Sequence, residues 1–354
     1  MKADVFWTPI EADCDESAAQ EAVERVWRAL GTPERLPETG FMMLKCHFGE
    51  RGHHRFVEPK FVRAVARLGS EAGLKVFASD TNTLYTGARH NAVDHLMLAS
   101  EHGFVPESLG CPVLVADGLI GRWGFKQKIA GKHFDGVELA GALRFTDYLV
   151  AVSHFTGHLA AGIGAAIKNI GMGLATRGGK LAQHNAQPLT VDESLCTACG
   201  LCAEWCPQGA ITVTEHASID DEKCISCGYC ISICKRGAVN FSWEISNDVL
   251  QERVAEYAFG VLKACEGRAA FFNFVVSVYE NCDCMSDGGA RLCPDVGVVA
   301  GYDPVAVDAA SLELIKEVTG VDIAAAKKPM NVRRQIEHLA ALGGGSLDFA
   351  LHRV

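Results

Sequence analysis

CTACGLCAEWCPQGAI (Cys196–Ile211) is followed, 28 residues further on, by CISCGYCISICKRGAV (Cys224–Val239). Each is a C-x2-C-x2-C-x3-C run. A [4Fe-4S] cubane needs four thiolates converging from different directions, so in such a doubled run three cysteines of one copy enclose a cluster and the fourth crosses to the other. The spacing therefore predicts one cluster on Cys196, Cys199, Cys202 and Cys234, and a second on Cys224, Cys227, Cys230 and Cys206. A lone C-x2-C would serve equally in a zinc ribbon or a redox dithiol, and a structural zinc pair is the alternative to be weighed here. The copies also share Gly200/Gly228, Gly209/Gly237 and Ala210/Ala238. They differ after the last cysteine, where Pro207 stands in the first copy and Lys235 in the second.

This motif and its flanks, 190–240, leave about 300 of the 354 residues to be explained, enough for a large core. Around them, short apolar runs alternate with helical patterns. Strands are expected at 41–48, 75–79, 113–116 and 148–153, with helices at 59–68, 91–102 and 137–145. After the motif come a helix at 248–265, strands at 269–278 and 296–300, and a helix opened by Asp303 as N-cap and Pro304 at its first position. A last helix is expected over 331–342, with a frayed Gly-rich tail. The alternation predicts an α/β fold, a mostly parallel sheet with helices on both faces. A small α+β ferredoxin-like insert interrupts it, so that 1–189 and 241–354 are two parts of one domain and 190–240 is the insert.

Composition excludes some functions. The net charge is −10, which disfavours a nucleic-acid groove and an anionic membrane surface. Seven acids against three bases within 190–240 point to an electron donor or acceptor protein with a basic face. The N-terminus carries acids where a signal peptide needs an apolar run, and no apolar stretch is long enough to span a bilayer. With thiolate-bound iron in view, a cytoplasmic location is expected. Seven cysteines lie outside the motif (Cys14, Cys46, Cys111, Cys265, Cys282, Cys284 and Cys293) and are expected as thiols or ligands rather than disulfides.

In parallel sheets, ligands bind beyond the carboxyl ends of the strands. The segments beyond the strand ends are polar here: Lys45-Cys46-His47 through Glu50, Asp80-Thr81-Asn82 with Tyr85 and Arg89 beyond, Asp117, His154 through His158, Cys282-Asp283-Cys284, and Asp303. Independent loop polarity explains any one of these; six in succession suggest a pocket. Cys282 and Cys284 would share a face of an extended segment and could bind an additional metal ion, act as a redox dithiol or anchor a substrate; the alternative is two solvated loop thiols. His154 and His158 would face one ligand if helical, or work at a pocket rim. Glycines in Gly162–Gly173 open an expected helix carrying Lys168 and Asn169, a candidate backbone anion site. The nicotinamide fingerprint is absent, since its third glycine and its ribose-binding acid are missing.

LKCHFGERG, DTNTLYTGAR, SHFTGH with GAAIKNIGMG, CDCMSDGG and GVVAGYDPVAVDAASL together resemble a bacterial and archaeal family, domain of unknown function 362, over about residues 1 to 320. Its ferredoxin-bearing members insert a doubled cluster motif at this place. The resemblance implies cluster binding and supplies no substrate. It maps candidate positions onto Lys45, His47, Asp80, Asn82, Arg89, His154, His158, Lys168, Cys282, Cys284 and Asp303, with His53 and His54 just beyond the first phrase as a further metal-binding loop. Three functional readings compete. In the first, an oxidoreductase relays low-potential electrons to a substrate or metal centre at the strand ends. There Lys45, Arg89 and Lys168 clamp a small anionic substrate, and His154 or His158 supplies protons, with His47 and Asp80 among the catalytic candidates. In the second, a non-enzymatic carrier or metalloprotein-assembly factor docks through its α/β part. A hydrolytic reading with a metal at His154 and His158 is the third.

Overall fold

The computed structural model describes residues 2–52, 55–185, 187–285 and 287–354. Eight strands form one sheet: β1 (Ala3–Thr8), β2 (Phe41–Lys45), β3 (Lys75–Asp80), β4 (Val113–Val115), β5 (Tyr148–His154), β6 (Ala269–Val275), β7 (Gly297–Gly301) and β8 (Phe349–Arg353). Their order is β8-β1-β7-β6-β5-β2-β3-β4. The run β6-β5-β2-β3-β4 is parallel throughout, and β1-β8 is parallel too; β7 alone runs against both neighbours.

Alternation along the central strands sends side chains to two apolar cores, the period-2 consequence of pleating. On β5, Tyr148, Val150 and Val152 enter the core with helices α1 (Glu16–Ala29), α2 (Pro59–Glu71) and α3 (Ala92–Glu101). Leu149 and Ala151 enter the opposite core. That core holds α4 (Ala166–Gly171), α6 (Asn247–Cys265), α7 (Pro304–Thr319) and α8 (Arg334–Ala341). Both faces are thus covered, and the α/β expectation holds.

Several expected elements differ. The segment 137–145 is not a helix: Gly136–Ala140 is a strand paired antiparallel with Gly124–Lys128, followed by a 3-10 turn over Gly141–Phe145. Its apolar residues look helical in spacing, but the hairpin lies over α6, which buries one face of it. The Gly-rich tail is not frayed either, since 349–353 is β8, paired along its length with β1. The strand at 41–48 ends at Lys45, and β1 and α1, the latter capped by Asp15, are not among the expected elements.

The segment between α5 (Arg177–His184) and α6 carries the doubled motif, and the duplication is visible in its backbone. Ala198 and Ser226 both take positive φ, at 51° and 50°. Asp192 N–H donates to Ala238 O as Asp220 N–H donates to Ala210 O. Cys196 N–H and Cys224 N–H donate back to Asp192 O and Asp220 O. Its own small core, Ile211, Ala217, Ile231 and Val239 among others, is completed by Leu84 and Leu181 from the surrounding fold.

Candidate functional site

Because β6, β5, β2 and β3 are adjacent and parallel, the loops after them leave the sheet on one edge. They surround a cavity of about 910 Å³ lined by Lys45, His47, Asp80, Arg89, His154, His158, Lys168, Cys282 and Cys284, so nine of the positions singled out from sequence meet there. Asp303 does not. It follows β7, the reversed strand, and so emerges at the opposite edge, where its carboxylate accepts from the N–H groups of Val305, Ala306 and Ser346 as a helix cap. Asn82 and Asp117 are buried and bonded to each other beside the cavity. His53 and His54 lie outside the described residues.

The floor is a closed ionic network. Lys45 is fully buried at the end of β2, and its ammonium donates to Asp80 Oδ1 (2.9 Å), Asn169 Oδ1 (2.9 Å) and Cys46 O (2.8 Å). Burial opposes the charge on Asp80, but Lys45 outweighs it and holds the carboxyl well below its usual range. Arg89 is likewise occupied. It donates to Glu50 Oε2 (3.0 Å) and Tyr85 Oη (2.6 Å), and its Nη1 lies 2.8 Å from His47 Nε2. Burial, then the Arg89 charge, pushes His47 well below its normal value, and its Nδ1 accepts from Gly49 N–H (3.0 Å). All three ammonium hydrogens of Lys45 are used, and Arg89 is held mainly by Glu50 and Tyr85.

Lys168 is different. It sits on α4, whose first N–H groups, Ala166 and Ile167, donate to the Asp308 carboxylate at 2.9 and 3.0 Å. The anion expected at this glycine-rich helix start is therefore an internal side chain of α7 and not a ligand. It fixes α4, which turns Lys168 into the cavity; burial lowers that ammonium to about 8. Its Nζ lies 3.8 Å from Cys282 Sγ. Among the described residues, Lys168 is the lining cation not engaged by another side chain's oxygen.

His154 and His158 do not share a helix. His154 ends β5 and His158 closes the short strand Thr156–His158. Both ring nitrogens of His154 are used, Nδ1 on Asp283 Oδ1 (2.7 Å) and Nε2 on Val276 O (2.8 Å). Burial lowers its pKa and the Asp283 charge raises it; the second wins, and with both ring nitrogens turned to acceptor oxygens neither offers a lone pair to a metal. His158 is held neutral, pushed well down by burial and by Lys168. Its Nδ1 accepts from the N–H groups of Ala160 (3.0 Å) and Ala161 (2.8 Å), and Nε2 faces Cys284 Sγ at 4.0 Å.

Cys282 and Cys284 are not free thiols on an extended strand. They lie on a turn in which Met285 N–H donates to Cys282 O (3.0 Å), and their sulfurs are joined, with Cα atoms 5.4 Å apart. With His158 they bring ligand atoms within 4.8 Å of one another, a set that could hold a metal ion. Three further lining residues carry no sequence signal: Lys180 and His184, which enter the cavity from α5, and Trp243 just before α6. No motif marks them; only the placement of α5 does.

Three comparisons bear on the chain. No protein of curated function matches it. Among solved structures it is similar to a protein from Thermotoga maritima (10% identity, TM-score 0.42, covering 87% of this chain and 59% of that one). It is also similar to the lactate racemase apoprotein from Thermoanaerobacterium thermosaccharolyticum (12% identity, TM-score 0.43, covering 90% and 58%). The chain thus spans under two thirds of each. No described helix is long and apolar enough to cross a membrane. The profile of one family matches residues 42–313, three quarters of the chain, and so the protein belongs to the family described as Domain of unknown function (DUF362).

Proposed function

We propose that this is an iron-sulfur oxidoreductase in which 190–240 forms a ferredoxin-like insert between two parts, 1–189 and 241–354, of one α/β domain. Cys196, Cys199, Cys202 and Cys234 would hold one [4Fe-4S] cluster, and Cys224, Cys227, Cys230 and Cys206 the other. The clusters would supply electrons singly and at low potential.

The residues fit such groups. Cys206, Cys224, Cys227 and Cys230 line a common small cavity of about 20 Å³. Ala210 N–H and Ala238 N–H donate to Cys206 Sγ and Cys234 Sγ, each at 3.2 Å, and Ala217 N–H donates to Cys196 Sγ at 3.3 Å. These are the acceptors that thiolates provide. Burial, then the neighbouring Cys227, pushes the Cys230 thiol up to about 12, so only a bound cation would keep it ionised.

The observation that carries the reading is a shared wall. Leu84 lines the large cavity and also belongs to the core of the cysteine-bearing segment, so the cavity and that segment share a side chain in their common wall. At the receiving end Lys168 would hold an anionic substrate. The acidic surface of the segment suits a donor protein with a basic face, in the cytoplasm.

Anaerobic purification with iron and sulfide analysis tests this. About eight irons and eight sulfides per chain are expected, with the iron falling on Cys227→Ser. Iron well below four per chain after anaerobic reconstitution, or zinc in its place, would sink it.

A further inference from the structure

We propose that Cys282 and Cys284 form a redox-active disulfide that collects two electrons, one from each cluster, and presents them as a pair to the cavity. This rests on the cluster reading given above for the source of its electrons. It also assigns a role to Cys282 and Cys284, since the same atoms could instead hold a metal.

Three features of the site favour a disulfide. The turn closed by Met285 N–H on Cys282 O sets the two Cα atoms 5.4 Å apart, within the span that a disulfide bridges. Lys168 Nζ, 3.8 Å from Cys282 Sγ, puts a positive charge where a thiolate forms on reduction. The tautomer of His158 is decided by its backbone. Nδ1 accepts two N–H groups, so in the neutral ring the proton sits on Nε2, toward Cys284. That nitrogen offers a donor to a thiolate, not a lone pair to a metal.

The two sulfurs are also unequal. Cys282 is buried beside Lys168, whereas Cys284 is partly exposed and so is the more accessible of the two. By contrast Cys111, Cys265 and Cys293 are buried thiols pushed up to about 11, 12 and 11 by desolvation, and none of them reaches the cavity.

The step balances. Breaking the S–S bond takes two electrons, which the two clusters would supply by giving up one each, and two protons, which bulk solvent supplies. Two thiols result, and the one beside Lys168, Cys282, is the one whose proton is more readily returned to solvent to give the thiolate. The substrate class is accordingly an anion reduced by two electrons and two protons: it takes both from the thiol pair, and the S–S bond forms again.

The test uses anaerobically purified protein with its clusters. Coulometric titration should show uptake of about four electrons per chain in the wild type and about two in Cys282→Ser and Cys284→Ser, with iron content unchanged in both. N-ethylmaleimide followed by mass spectrometry should leave the Cys282/Cys284 peptide unlabelled before reduction and doubly labelled after it. Lys168→Met should slow labelling of the reduced pair at neutral pH by about tenfold, the effect of about one pKa unit. Uptake of two electrons by the wild type, full labelling before reduction, or a stoichiometric metal lost on Cys282→Ser would each overturn the proposal. Labelling after reduction by a phosphine does not involve the clusters, so their absence and the absence of the disulfide are separate results.

Discussion

Lys45 shows what one residue can reveal and conceal. A lysine at the end of an apolar strand is conspicuous, and it does lie in the cavity, but its ammonium is consumed by Asp80, Asn169 and Cys46 O. It organises the floor and leaves substrate binding to Lys168. Removing it strands a buried carboxylate, and breaking a buried pair from one side costs about 3 kcal/mol or more. Lys45→Met should therefore lower stability by that amount in urea unfolding, far more than Lys168→Met, whose ammonium makes no ion pair among the described residues and lies 3.8 Å from Cys282 Sγ. Equal losses would mean that Lys168 is as structural as Lys45. The polarity of Lys45, Asp80, Arg89 and His158 was legible in the sequence. Their roles were not, because a role depends on which partner sits 3 Å away, and those partners are up to 124 residues distant.

At the scale of elements, position follows from close packing. Gly171 lets α4 approach α6, since a Cβ there would lie 2.3 Å from Val254 O. Gly171→Ala should cost about 1–3 kcal/mol in thermal unfolding and, by displacing α4, alter the reactivity of Cys282 beside Lys168. A second junction is electrostatic. Glu252 on α6 is buried and accepts from Lys132, His133 and Arg334, tying the 131–134 turn and α8 to α6. Burial raises its pKa, but these hydrogen bonds outweigh it and depress it to about 2. A depressed acid stabilises fully above its unfolded value and loses that contribution as pH falls through the folded one. Glu252→Gln should thus be less stable than the wild type by about 3 kcal/mol at pH 7, with the gap closing between pH 4.5 and 2 in denaturant titrations. A gap independent of pH would show that the charge is not the cause. Helices with clear caps, such as α3 behind Asn91 and α7 behind Asp303, were readable in advance. The 136–140 strand was not, because short apolar runs carry no period that separates strand from helix.

Across the whole molecule, the docking of the cysteine-bearing segment onto the sheet-bearing part is the decisive arrangement. Arg122 donates to Cys227 O and lies 3.2 Å from the centre of the Tyr229 ring, while Gly178 leaves room for Cys227 O. Arg122→Met should speed amide hydrogen exchange across 177–184 and 225–233 while leaving the central strands protected; unchanged exchange would mean that other contacts carry the docking. The sequence by itself determined the cysteine spacing, the strand-helix alternation and the polar strand ends, since each is written in local periods and short-range chemistry. Tertiary structure alone decided that β7 runs backwards and so removes Asp303 from the cavity, and that Asp308 takes the anion position at α4. It also set Cys282 and Cys284 against Lys168 and His158. Those outcomes depend on strand order and on contacts between residues more than a hundred positions apart, for which a linear pattern holds no signal.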